Sequence, residues 1–332
     1  MPQKSGLASR FPAQAVCLAA NPQGRREARE FMTDQPAAPR AASAALSAFL
    51  PEEERRDEHI VDLLIEERCP RLRASPAWPI ARPLLYSILG YGKARRMADE
   101  LVQLTGRESF DRLSRQLSFD ISVDGIDRLP ETGRCIVAAN HPTGLADGVA
   151  VWDLLKQKRD DIVFFANADA IRVNQRFEDV IIPVEWVAEK RSPAKTRETL
   201  KRAAAAFAEE KCVVIFPSGR LAMKQAGQMI EKDWFPTVVG LARKQNAPVI
   251  PLNLDARNSA LYYLFCDLSN ELRDITLFNE LLNKRGSKFR MTFGEAIPPE
   301  HLAGDPVPLT EALKRHVSYA LLEDRDARFR PV

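Results

Sequence analysis

The sequence predicts an α/β fold with a mostly parallel central sheet, flanked by helices and preceded by an N-terminal helical extension. From residue 118 onward, short apolar runs alternate with segments of helical periodicity. Several of these runs are apolar at consecutive positions, which is typical of strands covered on both faces by crossover helices. A chain of 332 residues is long enough to bury a sizeable core of this kind.

The apolar runs define the predicted strands, at 118–125, 134–140, 161–167, 179–185, 211–219, 247–255 and 288–297. The predicted helices span 145–158, 168–177, 193–210, 233–245, 271–284 and 307–322. The helix at 193–210 has the clearest start, because Ser192 can cap it and Pro193 suits the first helical position. We therefore assign residues 118–325 to one α/β domain.

The chain before this domain divides into two parts. Residues 1–50 are rich in Ala, Pro and Arg without a sustained period, and we expect them to be mostly disordered. Residues 51–117 are expected to be helical. Within them, 79–104 combines an apolar stretch with a basic cluster at 93–96. This pattern suits either the surface of an anionic bilayer or a core-packing helix with a solvated end.

Composition excludes several classes of protein. Lys and Arg number 48 against 45 Asp and Glu, a net charge of +3, so we expect no nucleic-acid partner bound through its phosphates. No apolar run reaches the roughly 18 residues of a membrane-spanning helix. The 5 cysteines form no CxxC pair and the 4 histidines no HExxH motif, so no metal site is expected. Pro12 and Gln14 interrupt the stretch that imitates a secretory signal, and we expect a cytoplasmic location.

The strongest candidate for chemistry is His141, because sites in this class of fold lie at the carboxyl ends of strands. His141 directly follows the strand at 134–140, and Asp147 lies close downstream. A neutral imidazole can take a proton near pH 7, and a carboxylate on its other nitrogen fixes the tautomer. Positions six apart on a helix are about 240° apart, so their pairing needs an irregular turn, which Pro142 and Gly144 supply. The alternative is a histidine and an aspartate that only cap a strand and a helix.

Two further strand ends carry candidate binding residues. The turn after 211–216 contains Pro217, Ser218, Gly219 and Arg220, with Lys224 one helical turn further on. Its glycine allows backbone N–H groups to approach an anion, and its arginine can bind a phosphate with two hydrogen bonds.

The strand at 247–255 is followed by Arg257 and Asn258, a guanidinium and an amide at the same predicted edge. An ordinary turn at 217–220 and a structural cap at Asn258 are the alternatives. No GxGxxG, GxxxxGK[ST] or GxSxG motif follows a strand, so nucleotide binding and a serine nucleophile have no support.

Three of these motifs together resemble the glycerolipid acyltransferase family, which includes the lysophosphatidic acid acyltransferases. That family carries Asn-His-four residues-Asp, and here Asn140-His141 is followed by Asp147 after five residues. Its Phe-Pro-Glu-Gly motif is similar to 216–219, and its Val-Ile-Pro motif is present at 249–251. This chain departs from the family in the fifth residue between His141 and Asp147 and in Ser218, which replaces the family's glutamate. Both departures resemble a subgroup, the hemolysin-like acyltransferases linked to amino-acid-containing lipids. The resemblance runs from about residue 83 to about residue 297.

The resemblance implies the glycerolipid acyltransferase fold and transfer of a fatty acyl group to a hydroxyl of a glycerol phosphate or lysolipid. The donor would be a thioester of acyl carrier protein or coenzyme A, with no resident cofactor, and the acceptor would come from the cytoplasmic face of a membrane. His141 would be the general base and Asp147 its orienting partner. The expected substrate-binding residues are Asn140, Thr143, Gly144, Pro217, Ser218, Gly219, Arg220, Lys224, Arg257 and Asn258.

The chemistry of acyl transfer agrees with this reading and leaves other functions open. A thioester is already activated, so a base for the acceptor suffices without a covalent enzyme intermediate. The backbone N–H groups around Gly144 or Gly219 are candidates to stabilise the tetrahedral oxyanion. The family usually has a further arginine after its third strand, and Arg191 matches that position poorly. The alternatives are a catalytically silent protein that binds lipid or acyl carrier protein, and a hydrolase of acyl thioesters.

Overall fold

A computed structural model of the protein describes residues 46–50, 58–185, 187–225 and 228–331. Most of the segment expected to be disordered therefore lies outside the described residues. The expectation of disorder is wrong for the end of this segment, because Leu46–Phe49 form a 3-10 turn. Leu46 and Phe49 are both buried in the main hydrophobic core, and this packing orders the backbone that the composition had suggested was irregular.

The chain from residue 58 to residue 117 is helical, as predicted for the described part of 51–117. Its helices are α1 (Ile60–Glu66), α2 (Pro70–Ala74), α3 (Trp78–Ile88), α4 (Tyr91–Val102) and α5 (Gly106–Leu117). Helix α5 begins with a capping box, in which Thr105 and Glu108 satisfy each other's backbone N–H groups.

A seven-stranded mixed sheet follows, and every strand predicted from the sequence is present. The strands are β1 (Asp120–Asp124), β2 (Cys135–Ala139), β3 (Ile162–Asn167), β4 (Ile181–Val184), β5 (Cys212–Ile215), β8 (Val249–Asp255) and β9 (Lys288–Phe293). Their order is β1-β9-β8-β2-β5-β3-β4. Strand β2 is parallel to both β5 and β8, whereas β9 is antiparallel to β8. The predicted mostly parallel α/β fold is confirmed.

The elements around the sheet differ from the prediction in four places. A hairpin of β6 (Met223–Gln225) and β7 (Gln228–Ile230) was not predicted. The other helices are α6 (Leu145–Leu155), α7 (Asp169–Val173), α8 (Pro193–Ala208), α9 (Thr237–Gln245), α10 (Ala260–Leu268), α11 (Asn270–Ile275), α12 (Leu277–Leu282), α13 (Pro306–Arg315) and α14 (Leu321–Glu323). Helix α10 was not predicted, and the predicted helix at 271–284 is two helices. A π-helical turn, His316–Ala320, interrupts the predicted helix at 307–322.

Helices cover both faces of the sheet, which explains the consecutive apolar positions in its strands. All residues of β2 and β5 are buried. Alternate side chains of β2 belong to two different cores. Val137 packs in the cluster that includes α5 and α6, whereas Ile136 packs with α8, α9 and α13. No helix in the described part of the chain is long and apolar enough to span a membrane.

A third apolar cluster connects the N-terminal helices to the α/β domain. Trp78 and Tyr86 on α3 pack in it with Phe265 on α10 and with Ile275 on α11. Contacts group the described residues into one compact unit. The boundary expected near residue 117 therefore separates a helical part from an α/β part of one unit.

A buried ion pair fixes the start of α10, directly after the strand end that carries Asn258. Glu280 on α12 accepts hydrogen bonds from Lys284 (2.7 Å) and from both the backbone N–H (2.8 Å) and the hydroxyl (2.5 Å) of Ser259. Glu280 and Lys284 are both buried. Burial raises the pKa of Glu280, but these hydrogen bonds outweigh it, so the pKa is lowered.

Replacing Glu280 by Ala leaves the Lys284 ammonium buried without a counter-charge. We expect the free energy of unfolding, measured by urea denaturation at pH 7, to fall by about 3–5 kcal/mol. Because the pKa of Glu280 is lower in the folded state, its ionisation stabilises the fold above the unfolded pKa of about 4.3. This stabilisation is lost as the pH falls through the folded pKa. The difference in stability between the wild type and Glu280→Ala should therefore narrow in acid. Glu100→Ala, which breaks the exposed contact with Arg112, is the control and should change stability by less than about 1 kcal/mol. Equal losses in both variants would contradict the prediction.

Candidate active site

The strand ends that carry the three sequence motifs are neighbours in the sheet. Strand β2 lies between β5 and β8 and is parallel to both, so their carboxyl ends share one edge. The Phe216 ring stacks on the His141 ring with centroids 4.3 Å apart. The Asn258 side-chain amide donates to the carbonyl of Pro142 at 3.3 Å, and the Ala222 N–H donates to the carbonyl of His141 at 3.2 Å. The tertiary structure thus brings the three motifs together around His141.

The predicted pair of His141 and Asp147 is present. Nδ1 of His141 lies 2.9 Å from Oδ2 of Asp147. The ring N–H is bent away from the line to this oxygen, so the contact is a close charge–dipole contact rather than an aligned hydrogen bond. The carboxylate is fully buried, whereas 19% of the imidazole side chain is exposed. With Nδ1 directed to the carboxylate, Nε2 is the ring atom that can exchange a proton with a substrate.

The irregular turn between the two residues orients the carboxylate. The backbone N–H groups of Thr143 (2.8 Å) and Gly144 (2.9 Å) donate to Oδ2 of Asp147, and the Thr143 hydroxyl donates to Oδ1. The Thr143 side chain is buried against this carboxylate. Its predicted contact with substrate is therefore corrected: Thr143 positions Asp147 instead.

Gly144 is required by its backbone conformation and by a neighbour. Its φ is +84°, a region that side chains disfavour, and a Cβ there would lie 2.7 Å from Cδ2 of Leu221. The Gly144 N–H already donates to Asp147, and the Gly219 N–H donates to the carbonyl of Phe216 at 3.0 Å. These two N–H groups are engaged within the protein, and the other backbone N–H groups around Gly144 and Gly219 stay predicted oxyanion donors.

Asn140 holds two strands together at the site. Its side-chain amide donates to the carbonyl of Leu254 at 2.8 Å, and its side-chain oxygen accepts from the Leu254 N–H at 2.7 Å. These bonds join the end of β2 to β8. The structure thus gives Asn140 a positioning role, in place of the predicted substrate contact.

The turn after β5 presents one exposed cation and one buried hydroxyl. Pro217 and Ser218 are buried, and the Ser218 hydroxyl donates to the carbonyl of Arg220 at 2.8 Å. The Arg220 side chain is exposed. Lys224 lies in β6, but its side chain lies outside what the structure describes, so its predicted contact stays a prediction.

Asn258 and Arg257 lie at the third strand end. Asn258 is buried, and its N–H donates to the Tyr263 hydroxyl at 3.0 Å. Its side-chain oxygen Oδ1 is buried without a hydrogen-bond partner among the described residues. Arg257 is exposed beside it. Arg191 follows β4, the edge strand of the sheet, and donates to the carbonyl of Glu185 at 3.1 Å, so it is not brought to the end of β2.

Sequence reasoning missed one acidic residue at the site. Glu231, just after the unpredicted hairpin, is buried, and burial raises its pKa. The Trp234 indole N–H donates to its carboxyl at 2.9 Å, and the neighbouring Phe235 N–H donates to the carbonyl of Pro217 at 3.0 Å. Nothing in the pattern around Glu231 could have revealed it, because the segment has no strand or helix periodicity. Within the described residues, no group of three or more His, Cys, Asp or Glu side chains could hold a metal ion.

Comparisons with known proteins find a matching family and similar proteins. The family described as Acyltransferase matches residues 120–255, which contain all of the strand ends up to β8. A lyso-glycine lipid O-acyltransferase of Phocaeicola vulgatus is 27% identical over 188 residues, which are 55% of this chain and 66% of that protein. One of Bacteroides thetaiotaomicron is 24% identical over 188 residues, 55% of this chain and 67% of that protein. The chain thus matches about two thirds of the length of these relatives.

One solved structure is similar over much of the chain. The 1-acyl-sn-glycerophosphate (LPA) acyltransferase PlsC from Thermotoga maritima has 14% sequence identity and a TM-score of 0.43. The similarity covers 83% of this chain and 100% of that one.

The two glycines of the His141 region allow a matched test of the turn. Gly144→Ala places a Cβ at positive φ against Leu221, and we expect a loss of about 1–3 kcal/mol in the free energy of unfolding. In Gly148→Ala the new Cβ meets nothing within 4 Å inside α6, so this variant should gain about 0.5–1 kcal/mol. Chemical denaturation of the two variants measures both. A Gly144→Ala protein as stable as the Gly148→Ala protein would refute the account of the turn.

Proposed function

We propose that this chain is a member of the glycerolipid acyltransferase family and transfers a fatty acyl group from a thioester to a hydroxyl of a lysolipid. The observation that carries the proposal is the contact between His141 and Asp147 at the end of a central parallel strand, inside the matched domain. Two relatives named for a lyso-glycine lipid favour an amino-acid-containing acceptor. The donor is a thioester of acyl carrier protein or of coenzyme A, with no resident cofactor.

The proposed reaction needs one base. Nε2 of His141 takes the proton of the acceptor hydroxyl while the oxygen attacks the thioester carbonyl. The tetrahedral intermediate expels the thiolate, the C–S bond breaks, and the imidazolium returns the proton to sulfur. Asp147 keeps the ring in the productive tautomer and stabilises the imidazolium. The products are an ester and a free thiol.

Cations near the site support an anionic group on the acceptor, such as a carboxylate or a phosphate. Burial, and then the positive charges of Arg220 and Arg273, lower the pKa of Lys232. Arg257 is exposed at the neighbouring strand end. An anion bound near Lys232 and Arg220 relieves the repulsion between these two positive charges. The same reasoning applies to any anionic acceptor headgroup.

Asn258 supports a polar contact with the acceptor. A buried oxygen without a hydrogen bond costs about 1–3 kcal/mol, so each such atom calls for an explanation. Oδ1 of Asn258 is such an atom, on a side chain already held by Pro142 next to His141. We propose that a hydroxyl or amide of the acceptor donates to it.

The exposed faces of α3 and α10 support a place at the membrane surface. Ile80 and Leu84 lie one helical turn apart and are 81% and 64% exposed. Leu264 and Leu268 on α10 are also exposed, and the buried sides of the two helices pack in one cluster. The basic residues at 93–96 follow on α4. Apolar side chains beside a basic cluster suit the headgroup region of an anionic bilayer, which we propose to be the cytoplasmic face.

The direct test of the reaction is a mass-spectrometric assay with a panel of lysolipids and both types of thioester. We expect His141→Ala to lower the rate of diacyl product by about 100-fold or more, because general base catalysis contributes 10²–10⁴. His301→Ala, an exposed histidine outside the site, is the matched control and should retain full activity.

Other outcomes of the same assay identify the alternatives. An unchanged rate in His141→Ala would overturn the mechanism. Free fatty acid without a lipid product would identify a thioester hydrolase. Lysolipid bound without turnover of any donor would favour a binding protein.

The membrane proposal is tested with vesicles of phosphatidylcholine and phosphatidylglycerol in a sedimentation assay. The double variant Ile80→Ser, Leu84→Ser removes two apolar side chains, each worth about 1.5–3 kcal/mol on burial. We expect its partition coefficient to fall at least about tenfold, with the circular dichroism spectrum unchanged. Val307→Ser changes an exposed apolar residue on α13, which packs on another part of the sheet, and should bind as the wild type does. Equal binding of all three proteins would exclude this face from membrane contact.

A further inference from the structure

The segment 190–202, which includes the first ten residues of α8, carries an excess of positive charge. It contains 6 Lys or Arg residues and 1 acidic residue, Glu198. Three of the cations pair with carboxylates at 2.7–2.9 Å: Lys190 with Glu67, Lys195 with Glu185, and Arg202 with Glu198. Arg197 and Lys201 are exposed and make no hydrogen bond or ion pair within the described part of the chain. Their charge is therefore available to a binding partner.

These two cations share one exposed face of α8 with an apolar residue. Arg197 and Lys201 are one helical turn apart, so their Cβ atoms are separated by about 5–6 Å. Leu200 lies beside them and is 50% exposed. The opposite side of the helix packs on the sheet through Ala203, Ala206 and Phe207. We call Arg197, Leu200 and Lys201 the outer face of α8.

A shallow groove of about 580 Å³ adjoins the outer face. It is lined by Arg191, Ser192, Pro193, Thr196, Arg197 and Leu200. Leu200 is the only large apolar residue exposed on α8, every residue of which the structure describes. A bilayer would need a broader apolar face than this, such as that of α3. A groove that combines cations with one apolar side chain fits the side chains of an acidic protein.

The groove lies at the same edge of the sheet as His141, but not beside it. Lys195 pairs with Glu185, which directly follows β4, and the Thr199 hydroxyl donates to the carbonyl of Pro183 at 2.6 Å. The start of α8 therefore lies at the carboxyl end of β4. Strands β3 and β5 separate β4 from β2, a distance of about 14 Å at the usual strand spacing. A partner docked here can reach His141 only through a flexible arm.

We propose that the outer face of α8 docks an acidic acyl carrier protein, which presents its thioester to His141 on a flexible arm from the β4 side of the sheet. This inference rests on the proposed function and selects one of its two donors. Carboxylates one turn apart on a helix of the carrier pair with Arg197 and Lys201, and an apolar side chain covers Leu200. Complementary charges of this kind speed association and select the partner.

Charge reversal tests the docking surface directly. We expect the double variant Arg197→Glu, Lys201→Glu to raise the Kd for fluorescently labelled acyl carrier protein at least about tenfold, because attraction becomes repulsion. Fluorescence anisotropy at low ionic strength measures it. Arg197→Gln, Lys201→Gln removes the charges without adding repulsion and should give a smaller loss. Raising the salt concentration should weaken binding of the wild type more than that of the Glu variant.

A second charge reversal is the matched control. Lys244→Glu, Arg315→Glu changes the net charge equally at exposed residues of α9 and α13 and should bind the carrier as the wild type does. Circular dichroism checks that every variant is folded. Equal Kd values in the wild type and both reversals would overturn the proposal. An equal loss in the two reversals would also overturn it, because only net charge would then matter.

The choice of donor gives an independent readout. In the mass-spectrometric assay, we expect the ratio of kcat/KM for the carrier thioester to kcat/KM for the coenzyme A thioester to fall at least about tenfold in Arg197→Glu, Lys201→Glu. An unchanged ratio would overturn the proposal. Loss of binding to phosphatidylglycerol vesicles, with carrier binding retained, would identify the outer face as a membrane contact and overturn it too.

Binding without turnover separates failure of this inference from failure of the proposed function. Carrier binding that is lost in Arg197→Glu, Lys201→Glu supports the docking surface even if no acyl transfer is found from any donor. Acyl transfer from the coenzyme A thioester by a wild type that binds no carrier would refute the docking surface and leave the proposed function in place.

Discussion

The buried carboxylate of Asp147 is the group on which the rest of the site depends. A charge removed from water is tolerated only when donors surround it, and here the chain supplies two backbone N–H groups, a hydroxyl and the edge of an imidazole. The turn from Pro142 to Gly144 has the conformation that aims these donors at one point. The carboxylate then determines which nitrogen of His141 faces outward. The orientation of His141 therefore depends on how the buried carboxylate of Asp147 is solvated by the protein.

The parallel sheet carries this arrangement to a place where substrates can meet. Strand β2 is central and buried, so the turn at its end has two neighbouring strand ends from which to receive support. Asn140 binds the backbone of β8, Phe216 stacks on the ring from the β5 side, and the buried pair of Glu280 and Lys284 holds the start of α10 beyond Asn258. Each of these contacts uses a polar or aromatic group to restrict motion near His141. The site is rigid because its supports come from separate elements.

Two unusual polar groups lie at or near this edge. Oδ1 of Asn258 is buried without a partner among the described residues, and Glu231 is a carboxyl whose burial raises its pKa. Stable folds avoid both features, because each costs free energy that packing must offset. Their position at or near this edge agrees with a site prepared for a polar ligand. On the outer surface, the exposed apolar side chains of α3 and α10 support the proposed contact with a membrane.

Periodicity and local motifs were enough to predict the α/β class, the strands of the sheet and the pair of His141 and Asp147, because these depend on residues close together in the chain. The hairpin β6–β7, helix α10 and the π-helical turn could not be predicted, since their local patterns are weak and packing decides them. The roles of Thr143, Gly144 and Asn140 also needed the tertiary structure: residue type predicts that a group can bind, but only its neighbours show that a carboxylate or a strand already occupies it. Glu231 is the clearest case. Only the fold brings the Ser318 hydroxyl, 87 positions away in the sequence, to its carboxyl.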